Sequence, residues 1–276
     1  MVALPTARAP QLGTDGRYLL TPSLKPRPTL EVVRARLGDS PVAGLLIEWP
    51  VSFPDRIRTV VTRSGTRRRY IVPCFRYGDI EAHGEAAEEE AAFIVLDACP
   101  GIEFQEQPCK FTFQWCGETC QHIPDLLVAS RERCEFWECK RAEEAGHFWI
   151  RKRSERLRGL LAPLHVGYRV VSGLELFAGC YLDNAKRLRR FAKHLASLSN
   201  EAEARAQLDR NGALSFQQLA GKFRGASAED DLMAMIYGGD LLTSLAVKLT
   251  RQSQLYLSSN DGRLPWVWQL FDQDRS

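Results

Sequence analysis

The stretch that decides the predicted fold is Pro124-Asp125-Leu126-Leu127, which is followed further along the chain by Glu138-Cys139-Lys140. Proline donates no ladder hydrogen bond and is tolerated at the start of a strand, so Asp125 opens an otherwise apolar strand. In the second segment, alternation with period two places Glu138 and Lys140 on the same face. If the two strands are antiparallel neighbours, Asp125 lies beside Glu138, and Lys140 lies one step along.

A predicted helix precedes these strands and carries a further acidic residue. Four residues of the segment 85–97 recur at helical spacing and share one face: Glu89, Ala92, Phe93 and Leu96. A carboxylate on an apolar face needs a partner, because an unpaired buried charge is costly, and a metal ion is one such partner. The alternative interpretation is that Glu88-Glu89-Glu90 is a solvated acidic run.

This arrangement suits a Mg²⁺ site, because Mg²⁺ binds oxygen ligands from one or two carboxylates and keeps several waters. Asp125 and Glu138 are the predicted metal ligands, and the backbone carbonyl of Cys139, not its thiol, is expected to add a third oxygen. Glu89 would complete the coordination or hold a second ion. Lys140 would position an attacking water or stabilise the charge that develops on a phosphate. We expect Mn²⁺ to substitute for Mg²⁺.

The chain divides into three predicted parts. Residues 1–77 form an N-terminal arm with a basic run, a short helical pattern at 30–37 and a strand-like pattern at 42–49. Residues 78–182 change periodicity from helix to strands to helix to strand, as an α/β core requires. Residues 183–276 are predicted to be mainly helical, with a strand-rich tail.

The composition is typical of a globular protein with a sizeable core. The chain has 276 residues, 45% of them hydrophobic and 26% charged, and a formal net charge of +3. That charge indicates a nucleic-acid partner only if the basic residues cluster. The sequence contains neither a secretory apolar region nor an apolar run of membrane-spanning length, and the eight cysteines are expected to be reduced. We therefore expect a cytoplasmic protein with no membrane partner.

Basic residues do cluster in three places, and each cluster would supply charge that neutralises phosphates. The first, on the helix predicted after the Lys140 strand, comprises Arg151, Lys152, Arg153, Arg156 and Arg158. The second comprises Lys186, Arg187, Arg189, Arg190, Lys193 and His194. The third comprises Arg63, Arg67, Arg68 and Arg69. A charged helix face is often simply solvated, so the combination with the acidic motif is what favours DNA.

Several motifs together resemble those of one protein family. They are Glu89 with Phe93, Leu96 and Pro100, then Phe104-Gln105-Glu106-Gln107-Pro108, then His122-Ile123-Pro124-Asp125-Leu126-Leu127, and then Glu138-Cys139-Lys140. On these residues the chain resembles the TnsA-type endonuclease subunit of heteromeric transposases, a branch of the PD-(D/E)xK restriction-like nucleases. One departure is that Ala87-Glu88 precedes Glu89, where the family usually has Ser or a small apolar residue with Leu.

The resemblance implies a fold, an activity and partners. The implied fold is a restriction-endonuclease-like α/β core, in which helices flank a mixed central sheet. The implied activity is Mg²⁺-dependent cleavage of double-stranded DNA at the 5′ ends of a transposon, with Glu89, Asp125, Glu138 and Lys140 as catalytic residues. The implied partners are a DDE-type transposase subunit and an AAA+ ATPase regulator.

The C-terminal third resembles the same family more weakly. Ser215 is a plausible N-cap of a short helix, a turn near Gly225 leads into a second helix, and Gly238-Gly239 ends that helix. The following segment, 241–257, alternates like a hairpin. This order predicts a winged-helix domain, which docks DNA or protein partners in that family; the alternative is a small helical bundle that packs on the core.

Three other interpretations stay open. One region contains ligands that zinc prefers, although the paired spacing typical of zinc knuckles is missing: Cys109, Cys116, Cys120, His122, Cys134 and Cys139. The chain is alternatively a stand-alone restriction-type endonuclease, or a non-catalytic DNA-binding or scaffold protein. The sequence has no Gly-rich phosphate loop, so we do not expect it to hydrolyse nucleotides.

Overall fold

The computed structural model describes residues 11–12, 18–19, 28–38, 42–51, 56–57, 69–77 and 80–258, and these form a mixed α/β structure. The strands are β1 (Gln11–Leu12), β2 (Tyr18–Leu19), β3 (Leu45–Glu48), β4 (Tyr70–Cys74), β5 (Ile80–Gly84), β6 (Glu103–Glu106), β7 (Lys110–Trp115), β8 (Glu118–His122), β9 (Leu126–Ala129), β10 (Cys134–Lys140), β11 (Gly167–Ser172), β12 (Leu214–Ser215), β13 (Leu241–Leu242) and β14 (Gln254–Leu257). The helices are α1 (Pro28–Gly38), α2 (Ala87–Ala98), α3 (Ala142–Ala145), α4 (Phe148–Leu161), α5 (Gly173–Leu176), α6 (Tyr181–Arg189), α7 (Leu198–Asn211), α8 (Phe216–Ala220) and α9 (Ala228–Gly238). None of the helices in these ranges is both long and apolar enough to span a bilayer.

A four-stranded mixed sheet in the order β11-β10-β9-β6 lies at the centre of the structure. Strand β9 is antiparallel to both β6 and β10, whereas β11 runs parallel to β10. The parallel pair is joined by α4, because strands that run in the same direction need a long crossover connection. Trp137 of β10 lies opposite Leu126 of β9, so Glu138 comes opposite Asp125, the residue just before β9.

Helices cover both faces of this sheet. On one face, Phe93 of α2 packs with Trp137 and Cys139 of β10. On the other face, Phe136 of β10 packs with Leu157 of α4, and α1 lies in the same cluster. Burial of each such large side chain contributes about 1.5–3 kcal/mol. Successive residues of β10 therefore lie on opposite faces, which confirms the period-two interpretation.

Helix α2 matches its prediction closely. It begins at Ala87 after the two-residue bend Glu85-Ala86, and its first turn contains three glutamates, which favour the positive end of the helix dipole. It ends at Ala98, before Pro100, which cannot continue a helix. The four residues predicted to share a face are all buried: Glu89, Ala92, Phe93 and Leu96. The solvated-run alternative is therefore wrong for Glu89.

A hairpin is present at 114–120, but it does not lead directly into β9. Strands β7 and β8 are joined at Cys116 and Gly117, both of which have positive φ, 51° and 84°. A tight two-residue hairpin turn of type I′ requires positive φ at both of its central residues. Strand β8 ends at His122 and belongs to a separate three-stranded sheet, β3-β7-β8. The break follows from Pro124, which cannot donate a ladder hydrogen bond.

The segment predicted as an N-terminal arm contributes to the core in its described part. Both predicted elements are present, as α1 and β3. Glu103 caps α1, because its carboxylate accepts hydrogen bonds from the backbone N–H groups of Thr29 at 3.3 Å and Leu30 at 2.9 Å. Most of the basic run at 63–69 lies outside the described residues. The predicted boundary at 77/78 falls between β4 and β5, which pair as a hairpin.

The C-terminal part contains α7, β12, α8, α9, β13 and β14 in that order, and its small sheet has the order β12-β14-β13. The predicted cap is confirmed: Ser215 and Gln218 form a reciprocal capping box at the start of α8. Gly239 ends α9 with φ 93°, a conformation that favours glycine. The predicted boundary at 182/183 lies inside α6, whose Ala185 packs against the α2 cluster and whose Leu188 packs against the C-terminal cluster.

One buried carboxylate joins the C-terminal part to the core. Asp97 of α2 is fully buried and accepts hydrogen bonds from the backbone N–H of Arg76 at 3.1 Å and from Arg189 Nε of α6 at 2.7 Å. The hydroxyl of Tyr237 in α9 donates to the same carboxylate at 3.3 Å. Because a buried charge needs such partners, this interaction fixes how α6 and α9 sit against α2.

We predict that Asp97→Asn lowers the free energy of unfolding by about 3 kcal/mol, because it leaves the buried guanidinium of Arg189 without its counter-ion. Urea titration followed by circular dichroism measures this loss. Asp183→Asn is the matched control, since Asp183 is exposed on α6, and its effect should stay within about 0.5 kcal/mol. Equal stability of the two variants would show that the Asp97–Arg189 pair does not hold the junction.

Candidate functional site

Asp125 is held between two strands by its backbone. Its N–H donates to the carbonyl of Trp137 at 3.0 Å, and its carbonyl accepts from the N–H of Gln107 at 2.8 Å. Its side-chain Oδ2 accepts from the backbone N–H of Cys139 at 2.8 Å. The carboxylate is thus directed at the end of β10, where the predicted partner residues lie.

Lys140 brings the predicted ligands into one cluster. Its Nζ lies 3.1 Å from Glu138 Oε1 and 3.9 Å from Asp125 Oδ2, and it donates to the backbone carbonyl of Cys139 at 3.3 Å. Burial alone would lower the pKa of Lys140, but the two carboxylates outweigh burial and raise it. Lys140 is therefore a fixed ammonium ion here, suited to stabilise negative charge rather than to accept a proton.

Glu138 is almost completely buried and is surrounded by donors. The hydroxyl of Tyr168 donates to its Oε2 at 2.8 Å, and the guanidinium of Arg153 from α4 binds its Oε1. Burial raises the pKa of Glu138, but His122, Lys140 and Arg153 and the Tyr168 hydrogen bond together lower it to about 2. The carboxylate is therefore ionised and fixed in orientation.

His122 extends this network as a neutral ring. Burial lowers its pKa to about 4, so the imidazole is uncharged at neutral pH and the charges acting on Glu138 there are those of Lys140 and Arg153. His122 Nε2 lies 2.7 Å from the hydroxyl oxygen of Tyr168. Since that hydroxyl donates its single proton to Glu138, His122 must carry its proton on Nε2. The chain of hydrogen bonds therefore runs from His122 through Tyr168 to Glu138.

Glu89 approaches the cluster from the other face of the sheet. It belongs to α2, which packs on the Trp137 face of β10, whereas Glu138 points to the α4 face. Its Oε2 accepts from the backbone N–H of Glu85 at 3.3 Å. Burial and the nearby charge of Asp125 raise the pKa of Glu89 to about 8, so in the absence of a bound cation it holds a proton at neutral pH.

The donor set fits a hard cation through two carboxylates and a carbonyl. Among the described residues, no group of three or more His, Cys, Asp or Glu is arranged so that it could hold a metal ion. Glu89 therefore does not join Asp125 and Glu138 in one such group. The ammonium of Lys140 already occupies the space between three oxygens, Asp125 Oδ2, Glu138 Oε1 and the Cys139 carbonyl, and acts as a stand-in for a cation. These residues fit Mg²⁺, which needs few protein ligands.

The cysteines provide no comparable site. All eight are free thiols, and none belongs to a group that could hold a metal ion in the described part of the chain. Burial raises the pKa of Cys109, Cys134 and Cys139, so these side chains are neutral thiols rather than the thiolates that zinc binds. The structure thus gives no support to the zinc alternative. It also agrees with the expectation that Cys139 offers its carbonyl rather than its thiol.

The basic cluster on α4 lies beside this site. Arg151, Lys152 and Arg156 are exposed, whereas Arg153 turns inward to Glu138. The Nε of Arg158 donates to the carbonyl of Tyr168 at 2.9 Å. The helix carries five basic residues and one acidic residue, a net charge of 5 − 1 = +4. The exposed part of this charge is available to a polyanion.

The second basic cluster is largely used within the protein. Arg189 binds Asp97, Arg187 donates to the carbonyl of Leu249 at 2.7 Å, and His194 lies 2.7 Å from Asp231. The Nζ of Lys193 stands 5.2 Å from the ring centroid of Phe75. Four of the six residues therefore make contacts within the protein, but Arg187 and Lys193 among them are exposed, as are Lys186 and Arg190. The third cluster, apart from Arg69, lies outside the described residues.

Sequence reasoning missed the residues that orient the predicted ligands. Arg153 had been assigned to a general basic surface, and neither Tyr168 nor His122 had been assigned to the site. A sequence signal exists for Arg153. It lies between the buried and the exposed face of an amphipathic helix, and that helix connects β10 to the next strand of the same sheet. The contact of Tyr168 depends on the register of two parallel strands, which the sequence pattern does not specify.

Comparison with known proteins gives no match: no family model fits the chain, and no curated protein matches it. The chemistry of the site is therefore argued from its own residues. Two ionisable carboxylates, a backbone carbonyl and a fixed ammonium ion converge at the end of β10, next to a basic helix.

We predict that Glu89→Gln flattens the pH dependence of stability. The pKa of Glu89 is higher in the folded protein than in the unfolded chain, so its stabilising protonation is fully present below about pH 4.5 and is lost as the pH rises to about 8. Over that range, the free energy of unfolding of the wild type should fall by on the order of 3 kcal/mol more than that of the variant. Urea titrations in the presence of EDTA measure both curves.

Glu88→Gln is the matched control for this experiment. Glu88 occupies the same turn of α2, but its Oε1 points toward Gly173 rather than toward Asp125. It should keep the pH dependence of the wild type. If Glu89→Gln also keeps that dependence, Glu89 is ionised in the folded protein and the electrostatic account of its burial is incorrect.

Proposed function

We propose that this protein is a Mg²⁺-dependent DNA endonuclease with a restriction-endonuclease-like core. The order of its elements supports this fold: helix α2, the antiparallel strands β6, β9 and β10, helix α4, and then β11 parallel to β10. That succession places Asp125 at the start of the second strand and Glu138 and Lys140 at the end of the third. It is the arrangement that the resemblance to TnsA-type nucleases implies.

The observation that carries the proposal is the convergence on the Lys140 ammonium. Asp125 Oδ2, Glu138 Oε1 and the Cys139 carbonyl lie within 3.9 Å of Nζ, although the three oxygens come from two separated segments of the chain. A structural ion pair would need only one carboxylate. Two carboxylates and a carbonyl gathered at one point offer the oxygen ligands that Mg²⁺ prefers, and in this structure Lys140 and Arg153 balance the two negative charges.

In this proposal Asp125, Glu138 and the carbonyl of Cys139 hold Mg²⁺, and Mn²⁺ substitutes for it. When bound, the ion supplies a Lewis acid that polarises the scissile phosphate and lowers the pKa of a bound water. Lys140, which stays protonated, stabilises the charge that builds on the phosphate. Glu89 is close enough to Asp125 to interact electrostatically, and its proton would be released when positive charge is added nearby.

Arg153 and Tyr168 act through Glu138. They bind different oxygens of its carboxylate, so they restrict its rotation and leave it ionised in a buried position. Preorganisation of this kind keeps a ligand in its productive geometry before the substrate arrives. The exposed residues Arg151, Lys152 and Arg156 extend the positive surface along α4, where a DNA backbone would lie.

For the C-terminal part we propose a winged-helix domain. Its order of helix, strand, helix, helix and hairpin, with β12 paired to β14, supports this assignment over a plain helical bundle. Helix α9, however, has three acidic residues in its first turn, and residues Asp231–Tyr237 are buried. Such a helix is poorly suited to contact phosphates, so the domain is better suited to dock protein than DNA.

The proposed biological role is 5′-end cleavage at transposon ends, as the subunit of a heteromeric transposase that works with a DDE-type transposase and an AAA+ ATPase regulator. This role rests on the resemblance. A stand-alone restriction-type endonuclease would use the same residues without partners. A non-catalytic DNA-binding or scaffold protein would keep the fold but bind no catalytic metal.

We predict that wild-type protein cleaves DNA with Mg²⁺ or Mn²⁺ and that Asp125→Asn and Lys140→Ala each reduce cleavage about 10³-fold, while both keep their affinity for DNA. The reason is that each variant removes one charge needed at the phosphate but leaves the basic helix intact. A gel assay on supercoiled plasmid measures cleavage. Glu132→Gln is the control. Glu132 is an exposed carboxylate beside β10, so this substitution should not change the rate of DNA cleavage.

Metal titration separates the alternatives. Calorimetric binding of Mn²⁺ to wild type that disappears in Asp125→Asn supports the nuclease site. Cleavage by the purified chain alone would favour the stand-alone enzyme, whereas cleavage only with added transposase would favour the subunit. Equal metal binding by both proteins, together with no cleavage under any condition, would leave the scaffold interpretation.

A further inference from the structure

Three aromatic side chains form a cluster at the start of α4, which we call the aromatic platform: the half-buried Trp115 of β7 and the exposed Phe148 and Trp149. The ring centroids of Trp115 and Trp149 lie 5.8 Å apart at 80°, and those of Phe148 and Trp149 lie 5.1 Å apart at 75°. These edge-to-face contacts hold the rings in place without closing their faces with a parallel neighbour. Phe148 is 61% exposed and Trp149 65% exposed.

Phe148 and Trp149 lie outside the hydrophobic core, whereas Trp115 packs against the cluster that contains Leu157 of α4. The residues by which α4 packs on the sheet are Ser154, Leu157, Leu160 and Leu161, all of which follow the first turn. Adjacent large aromatic side chains left in water forgo a substantial burial energy. Rigid, exposed aromatic rings of this kind are typical of a recognition surface.

The platform lies next to the proposed catalytic cluster. Trp149 and Arg153 are four residues apart on α4 and therefore share one face of the helix, one turn apart. Arg153 binds Glu138 directly. A DNA strand whose scissile phosphate lies at Glu138 and Lys140 would therefore have its neighbouring nucleotides next to Trp149.

The charge around the platform selects the kind of ligand. The helix carries a net charge of +4, and the Nζ of Lys152 stands 6.0 Å from the ring centroid of Phe148, although it also pairs with Glu155 at 2.8 Å. Arg156 Nε donates to the carbonyl of Gln114, the residue before Trp115. Aromatic faces interleaved with cations match a ligand that has flat rings and negative charge, which is a nucleic acid rather than an apolar protein surface.

We propose that the aromatic platform stacks unpaired bases next to the scissile phosphate, so that the protein prefers DNA whose strands are locally separated at the cleavage site. This inference rests on the proposed nuclease function. Bases in an intact duplex are stacked on one another and offer no ring face to a side chain. A separated strand offers both its ring faces and its phosphates, and the platform with its basic neighbours binds both.

The test compares the affinity of the full chain for two fluorescent DNAs, an intact duplex and the same duplex with a short unpaired segment in its middle. Fluorescence anisotropy in EDTA measures binding without cleavage. Wild type should bind the unpaired DNA about tenfold more tightly than the duplex, and Trp149→Ala should lose that preference. Trp149→Phe should keep most of it, because the ring face is retained.

Val247→Ala is the matched control, since Val247 is a 62% exposed apolar residue of the C-terminal part and its removal should leave the preference unchanged. If the wild type binds and cleaves DNA and Trp149→Ala keeps the full preference for unpaired DNA, the platform inference is overturned but the nuclease function is not. Failure of the wild type to bind either DNA overturns both. Loss of self-association in Trp149→Ala by sedimentation velocity, with DNA binding unchanged, would make the platform a protein-binding surface and overturn the inference.

Discussion

The antiparallel pairing of β9 with β10 is the constraint on which the rest of the site depends. Its register sets Leu126 opposite Trp137 and therefore brings Asp125 to the end of β10, where its carboxylate reaches the N–H of Cys139. A shift of one residue would turn every side chain of β10 to the other face of the sheet and separate Asp125 from Glu138. The apolar residues of β10, packed under α2 on one side and α4 on the other, oppose such a shift.

Charge balance then determines what the converged residues can do. Lys140 is a cation held by two carboxylates, and Arg153 supplies a second positive charge to Glu138. Glu138 is consequently ionised although it is buried, whereas burial and the charge of Asp125 raise the pKa of Glu89 and hold it protonated. Two acidic residues in one region, Glu89 and Glu138, thus have different protonation states, because their neighbours differ.

The central sheet and the C-terminal part are connected by polar contacts as well as by packing. Asp97 joins α2 to α6 and α9, and Arg189 uses its charge in this junction rather than on the surface. A C-terminal unit fixed in this way does not need to bind DNA to be useful to the core. Its helix α9 is acidic and buried, so the positive surface of α4 is the better suited of the two to contact a polyanion.

Several helices and strands, and the faces on which their residues lie, can be predicted from the sequence alone. Helical spacing identified α2 and its buried glutamate, alternation with period two assigned the faces of β10, and the Ser215 cap and Gly239 marked the ends of α8 and α9. These features depend on local backbone geometry and on burial patterns that recur over a few residues, so they can be recognised in the amino-acid sequence.

Which side chains of the site come into contact depends on the tertiary structure. That Pro124 separates β8 from β9, that Arg153 turns inward to Glu138, that Tyr168 and His122 complete the network, and that Glu89 lies across the sheet all follow from strand register and helix crossing. The contacts of Arg153, Tyr168 and His122 join residues 15 to 46 positions apart in the chain. No local pattern encodes such distances, because they are set by how whole elements pack against one another.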